Sequence, residues 1–350
     1  MVNGDILAKN KKITFIIPET SVVPSGGHKI VYGYAIRLQK YDYDVNVVSY
    51  AKLEKKISFK SILRYLFYKP FYKKRIAYRI DGIDIKWVFT PNEHNVGDGD
   101  FIFASSCDSA FIVNDLPKSK GEKFFLIQAD DKNLKEALKL PLKKIAVSSW
   151  LASIAKPFGN VAAIIPNTVD KNEFFTEIPP EKRNPLSVLL LHNALPAKGT
   201  LDGIKAIMEL KEEFSDLEVN VFGVCSGKNL PKWMKYHSRM SSQKLRELYN
   251  ASAIYISTSY SEGCGLIVME AMNCSCAVIA TDIPGHSDFL DSENVALRYE
   301  AKNIEELKGR ISFLLKNPDE RIRIAKNGNA NVQKLSYEEN VLTLLKKILE

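Results

Sequence analysis

The sequence is short of cysteine, of long apolar runs and of any repeat. Its 350 residues hold five cysteines, Cys107, Cys225, Cys264, Cys274 and Cys276. An odd number with no C-x-x-C pair argues against a disulfide framework and against a zinc site. No apolar run approaches the ~18–20 residues that span a bilayer as a helix. The longest are of strand length, such as Ile13–Ile17 and Val188–Leu191. The opening MVNGDILAKNKK leads straight into an apolar strand, without the h-region or cleavage site of a signal peptide. The chain is therefore expected in the cytoplasm. No self-similarity at a period of about 20–50 residues is visible, which excludes a solenoid.

What is there is ordinary globular composition, 45% hydrophobic and 26% charged, which excludes a disordered or fibrous chain. The length suits two domains of roughly 150–180 residues. The net charge of +8 is unevenly placed. Residues 1–170 carry 26 basic and 17 acidic side chains, whereas residues 171–350 carry 23 and 24. Residues 51–80 alone hold ten basic residues and one acid, Glu54. The basicity is one local patch.

Short β-branched runs alternate with amphipathic stretches, the pattern of parallel sheets covered by helices. In the first half, strands are predicted at Ile13–Ile17, Val45–Tyr50, Ile83–Val88, Phe101–Ser105, Phe124–Gln128, Ile145–Ser148 and Ala162–Pro166. The pattern restarts with Ser187–His192, Glu218–Phe222, Ala253–Thr258, Ala277–Thr281 and Val295–Tyr299. Helices are predicted over 200–214, 241–251, 265–274, 302–316 and 336–349. Between the halves, PNTVDKNEFFTEIPPEKRNP holds four prolines and many polar residues, and reads as a linker over 167–185. The expected organisation is an N-terminal Rossmann-like domain (1–166), that linker, a C-terminal Rossmann-like domain (186–335) and a final helix (336–350).

The most informative segment is Ser257–Asp291, STSYSEGCGLIVMEAMNCSCAVIATDIPGHSDFLD. A strand ends near Thr258, and Gly263-Cys264-Gly265 opens a helix. Glycines at a strand-to-helix turn let backbone N–H groups approach an anion, which the helix N-terminus also attracts. Glu262 lies in the loop and Glu270 about one and a half turns into the helix, so the two point at different parts of one extended ligand. Carboxylates there suit hydrogen bonds from sugar or ribose hydroxyls.

In this segment the chain resembles the family 4 glycosyltransferases, retaining enzymes of the GT-B fold. The family's E-G-F-G-L element with E-x7-E appears as Glu262-Gly263-Cys264-Gly265-Leu266 through Glu270-Ala271-Met272. Ile165-Pro166-Asn167-Thr168-Val169-Asp170 resembles its I-P-N-G-V-D element, and Leu195-Pro196-Ala197-Lys198-Gly199 its L-x-P-x-K-G loop. Ser242–Ala251 and Ile254–Ser259 resemble the helix and strand that precede the glutamate motif. The likeness covers the second half in order. In the first half it rests on Gly26-Gly27 and the strand–helix rhythm, where PSGGHKIVYGYAIRL and FFLIQADD are similar to members from bacterial surface-polysaccharide synthesis.

The resemblance implies an α/β chain of GT-B type, two Rossmann-like domains facing an interdomain cleft. It implies transfer of a sugar from a nucleotide-sugar donor to an acceptor hydroxyl with retention, without metal or cofactor. Glu270 would bind the ribose, Glu262 the donor sugar, and backbone amides of Gly263–Leu266 the sugar and diphosphate, while Lys198 neutralises the diphosphate. Glu262 and Lys198 are the catalytic candidates. Gly26 and Gly27 would close on the phosphates from the other domain. A nucleoside diphosphate leaves with developing negative charge, which preorganised cations and N–H dipoles stabilise where it appears.

The sequence departs from the family at Asn193, where an Arg is usual five residues before the loop lysine. One diphosphate contact is missing there or comes from elsewhere, for which Arg239 and Lys228 are the candidates. Gln128 or Asp130 takes the place of a first-domain His near the donor sugar, and Asn273-Cys274-Ser275-Cys276-Ala277-Val278 replaces A-C-G-x-P-V. The five histidines, His28, His94, His192, His237 and His286, are scattered; His28 and His192 are as readily structural as ligand-binding. The stretch 57–80, ISFKSILRYLFYKPFYKKRIAYRI, combines a face of Leu63, Leu66, Phe67 and Phe71 with a cationic rim. Such an element suits an anionic membrane surface, or packs on the sheet with a solvated basic face. No nucleic-acid module surrounds it. Partners are thus a nucleotide-sugar and a glycan or lipid-linked acceptor, at the inner face of the cell membrane. The competing readings are a sugar-nucleotide epimerase of the same fold and a non-catalytic, membrane-docked assembly subunit.

Overall fold

The computed structural model describes residues 10–19, 26–51, 83, 85–159 and 161–349. The basic stretch 57–80 lies outside the described residues. The chain divides into two compact units, one of residues 1–167 with 337–350 and one of residues 168–336.

The first unit is built on β1 (Lys12–Pro18), β2 (Asp44–Tyr50), β3 (Ile85–Val88), β4 (Phe101–Ala104), β5 (Glu122–Ile127), β6 (Lys143–Ala146) and β7 (Val161–Ile164). Among the described residues these form a parallel sheet in the order β3-β2-β1-β4-β5-β6-β7. The central strands are buried on both faces, which is why ITFII and FIFA read as unbroken apolar runs. Helix α1 (Gly26–Lys40) follows β1, and α2 (Cys107–Asp115) follows β4. Strand β6 ends two residues before the predicted Ser148, because Ser148 instead caps α4 (Ser149–Ala155), accepting from the Leu151 N–H at 3.3 Å. Short α3 (Leu134–Leu138) lies between β5 and β6.

The second unit restarts with β8 (Ser187–His192), β9 (Glu218–Gly223), β10 (Lys235–Ser238), β11 (Ile254–Ser257), β12 (Ala277–Thr281) and β13 (Leu297–Tyr299), parallel in the order β10-β9-β8-β11-β12-β13. Its helices are α5 (Thr200–Glu213), α6 (Ser242–Ala251), α7 (Leu266–Asn273), α8 (Ile304–Lys316) and α9 (Pro318–Val332). Helix α5 buries Gly203, Ala206, Ile207 and Leu210, the one-face spacing of a helix laid on a sheet.

Residues 168–186 belong to the second unit, although their prolines suggest a free linker. Phe174 is buried edge-on to Tyr249, and Arg183 is buried among backbone carbonyls. Its Nη1 donates to Ser252 O at 3.0 Å and Ser275 O at 2.9 Å; its Nη2 donates to Cys274 O at 2.5 Å and Ile178 O at 2.6 Å. The guanidinium thereby closes the C-terminal ends of α6 and α7, whose last carbonyls have no partner within their own helices.

The last helix, α10 (Tyr337–Leu349), belongs to the first unit. Arg37 on α1 pairs with Glu338 at 3.0 Å and lies 4.2 Å from the Tyr337 ring centre. Asn340 Nδ2 donates to Pro166 O at 2.5 Å.

Candidate functional site

Chain order points to a candidate site in each unit. In the second sheet β8 leads outward to β9 and β10, and the chain then returns to β11 on the other side of β8. The two crossovers leave β8 and β11 in opposite directions, so a crevice opens beyond their C-terminal ends, where open α/β sheets take ligands. The loop after β8 carries Asn193 and Lys198, and the loop after β11 carries Glu262–Gly265.

The two loops are pressed together. Residues Pro196–Lys198 form a 3-10 turn ended by Gly199 in the left-handed conformation, φ 56°. A Cβ on Gly199 would lie 2.1 Å from the Thr258 carbonyl oxygen. Thr258 Oγ1 donates to Lys198 O at 2.8 Å, the Tyr260 N–H donates to Ala197 O at 2.7 Å, and the Tyr260 hydroxyl donates to Asp202 at 2.6 Å. That last bond, with some burial, pushes the Tyr260 hydroxyl up to about 12. Lys198 Nζ is thereby held 2.5 Å from Glu262 Oε1, with each side chain one-fifth exposed. Gly199→Ala is expected to cost more than about 1 kcal/mol, because both φ and the Thr258 carbonyl oppose a side chain. Chemical denaturation checks this, and an unchanged midpoint contradicts the close approach.

The remaining candidates of this unit lie around that pair. Gly263 is half-buried, Cys264 is buried, and Gly265 adopts φ 61° and starts α7 at Leu266. The first-turn N–H groups of an α-helix have no intrahelical acceptor, and here they open beside Glu262. A small cavity at this point is lined by Lys198, Ser257, Thr258, Glu262, Gly265 and Ile267. Glu270 is 3% exposed and accepts from the Tyr249 hydroxyl at 3.2 Å. Burial, with Glu270 beside it, raises the Tyr249 hydroxyl well above its usual value, so Tyr249 serves as a donor. Asn193 is turned into its own loop: Oδ1 accepts from the Leu195 N–H at 2.9 Å, and its N–H donates to Thr200 Oγ1 at 3.1 Å. Arg239 is exposed, with φ 50° and its N–H on Gly223 O.

In the first unit, Gly26 and Gly27 open α1 after β1, at the switch between β1 and β4. A Cβ on Gly27 would lie 3.2 Å from Gln128 Oε1, so the end of β5 crowds this turn. Gln128 Nε2 donates to Ser105 O at 3.0 Å, and His28 Nε2 is bonded to Pro18 O at 2.8 Å. His192 Nε2 is bonded to Ser226 O at 3.1 Å. Three residues not assigned from the sequence lie beside these candidates: Thr258, Tyr260 and His286. The Thr258 and Tyr260 roles depend on contacts between loops some 60 residues apart, which leave no local spacing to read.

Residues 171–331 match the family of glycosyl transferases group 1. The chain is 24% identical over 238 residues to the N,N'-diacetylbacillosaminyl-diphospho-undecaprenol alpha-1,3-N-acetylgalactosaminyltransferase of Campylobacter jejuni, a match covering 66% of this chain and 61% of that protein. The chain thus spans less than two thirds of that relative's length. Among solved structures, S. aureus TarM in complex with fondaparinux, alpha-GlcNAc-glycerol and UDP superposes with a TM-score of 0.74, at 13% identity over 97% of this chain and 99% of that one. Anabaena Alr3699/HepE in complex with UDP-glucose gives 0.71, at 15% identity over 96% and 100%. The second unit is thus similar to the glycosyl transferases group 1 over residues 171–331, in a chain with the GT-B fold.

Proposed function

We propose that this protein is a retaining glycosyltransferase that moves a sugar from a nucleotide-sugar to an acceptor hydroxyl in bacterial surface-glycan or glycolipid synthesis. The observation that carries the reading is the Lys198–Glu262 pair at the β8/β11 switch point, beside the N-terminus of α7. A cation and open N–H groups suit a diphosphate, and an adjacent carboxylate suits sugar hydroxyls. When the donor binds, Lys198 exchanges Glu262 for the diphosphate, which frees Glu262 to accept from the sugar. As the donor bond breaks, charge grows on the leaving diphosphate, where Lys198 and the helix N-terminus already stand. These groups supply positive charge without a metal, so the reaction is read as metal-independent. Retention follows from front-face attack, the leaving phosphate taking the acceptor proton.

Glu270 is assigned to the ribose, with Tyr249 fixing its carboxylate. Gly26 and Gly27 are assigned to the phosphates and Asn193 to the donor loop. The relative in Campylobacter is named for an undecaprenol-linked acceptor, and a lipid-linked or glycan acceptor is the class proposed here. The test is to incubate the protein with nucleotide-sugars and lipid-linked acceptors and determine the anomeric configuration of the product. Released nucleoside diphosphate with a retained anomer supports the reading; an inverted product, or epimerisation without acceptor, overturns it.

Glu270→Ala is expected to weaken nucleoside-diphosphate binding at least about tenfold, through the loss of hydrogen bonds to a charged group. Calorimetric titration measures this. Unchanged affinity would remove Glu270 from the site.

No helix among the described residues is long and apolar enough to cross a membrane. Residues 57–80 are proposed to dock the protein on anionic lipid at the inner face of the cell membrane. Neutralising Lys69, Lys73, Lys74 and Arg75 is expected to weaken binding to phosphatidylserine vesicles, each charge being worth about 1 kcal/mol near the surface. The parent's binding is expected to fall with salt. Salt-insensitive binding contradicts the electrostatic docking.

A further inference from the structure

His286 lies directly behind the loop that carries Glu262. It is 1% exposed and sits in the 3-10 turn Pro284–His286. Its neighbour Gly285 is so close to that loop that a Cβ there would stand 2.0 Å from the Glu262 carbonyl oxygen. The ring packs edge-on to Phe289, with centroids 5.8 Å apart, and against Gly265, whose Cβ would meet Nε2 at 2.8 Å.

The two ring nitrogens differ. Nδ1 is 3.0 Å from the Thr281 carbonyl oxygen, which can only accept, so Nδ1 carries the proton. In the neutral ring Nε2 is then a bare lone pair. It is buried and has no hydrogen-bond partner among the described residues, yet it faces the N-terminus of an eight-residue helix. A second proton could go only there. Burial opposes that proton most strongly and holds the ring below its usual value; Lys198 also opposes it, while the Thr281 carbonyl, Glu262 and Asp282 favour it. Helix α7 adds its positive end and no acidic side chain in its first turn, and Phe289 brings no charge.

Resting on the donor site proposed above, we infer that His286 is a proton-linked positioning residue, neutral in the free protein and taking a proton at Nε2 when an anionic diphosphate occupies the loop in front of it. The charges make this necessary in sign. A bound diphosphate draws Lys198 to itself, cancelling the cation that opposes protonation, and adds negative charge at the helix N-terminus. Both raise the proton affinity of the ring. By linkage, donor binding tightens as the pH falls through the interval between the free and bound titration points. The imidazolium then adds positive charge behind the α7 N–H groups that face a bound anion, while in the empty site the ring stays neutral.

The experiment is calorimetric titration of UDP, with GDP and ADP as alternatives, into the full chain at about pH 6 in buffers of different ionisation enthalpy, and across about pH 5.5–7.5. The wild type is compared with H286F, which keeps the ring packing, and with H286N, which keeps a donor for Thr281. Titration of the nucleotide's own phosphate is common to all three proteins and cancels in the comparison. The wild type is expected to take up an additional fraction of a proton and to gain roughly three- to tenfold in affinity towards acid pH relative to both variants. Equal proton uptake and parallel pH profiles in all three overturn the inference while leaving the donor site standing. A wild type that binds none of the three nucleotides removes the donor site, and the inference falls with it.

Discussion

Lys198→Ala is expected to lower kcat about 10²- to 10³-fold, the usual effect of removing one preorganised group from a site of developing negative charge. In the free protein Nζ is 2.5 Å from Glu262, so the variant leaves that carboxylate without its cation. Water reaches both side chains, which are one-fifth exposed, and an ion pair open to solvent contributes little to folding. Stability should therefore change much less than turnover. The partition between kcat and KM carries the mechanism. If the lysine acts on charge that grows as the donor bond breaks, kcat falls more than KM rises; if it merely holds the ground-state diphosphate, KM takes the loss. Lys198→Arg keeps the charge with a different reach and should recover part of the rate. Unchanged kcat in Lys198→Ala would remove the residue from the reaction.

Arg183→Ala is expected to be the most damaging single change outside the site, costing the second unit about 3 kcal/mol or more. The guanidinium is buried and donates to carbonyls of Ile178, Ser252, Cys274 and Ser275, which water does not replace once the side chain is gone. The Ser252, Cys274 and Ser275 carbonyls sit at the ends of α6 and α7, and α7 begins at the Glu262 loop. Loss of the clamp should loosen the helix that positions Glu270. Arg183→Lys would present three donors from a point rather than a planar fork, and should restore only part of the loss. A thermal scan that resolves the unfolding of the second unit reads the effect. A loss below about 1 kcal/mol would mean that the carbonyls find other partners.

Much of this architecture was legible because buried parallel strands must be apolar on both faces. Ser187–His192 and Ala277–Thr281 coincide with the observed strands end to end. Among the elements that escaped reading are two that lack an apolar run. Strand β10 is the edge strand Lys235–Ser238, KYHS, with no fully buried residue, so neither period nor hydrophobicity marks it. Helix α9, PDERIRIAKNGNANV, buries Arg321, Ile324, Ala325, Gly328 and Val332 at helical spacing. Two of those five are a glycine and an arginine, which hide the stripe. The proline-rich stretch 167–185 reads as a linker because nothing local shows that Arg183 will reach carbonyls some 70–90 residues away.

The site divides along the same line. Lys198, Glu262, Gly263, Gly265 and Glu270 could be named from the sequence because they stand in stretches that resemble the family's loop and glutamate motifs. Thr258, Tyr260 and His286 could not, since each is brought beside those residues by a contact between separate loops. Asn193 shows the limit of position alone. The sequence places it where a cation is usual, whereas the structure commits its side chain to the Leu195 N–H of its own loop.

The most direct test of the central claim is calorimetric titration of the metal-free protein with UDP, GDP, ADP and dTDP, with Lys198→Ala in parallel. The account predicts that one nucleoside diphosphate binds in preference to the others without added metal, and that the variant binds it more weakly. Absence of binding by all four, or equal affinity in the variant, would contradict a diphosphate site at the β8/β11 switch point.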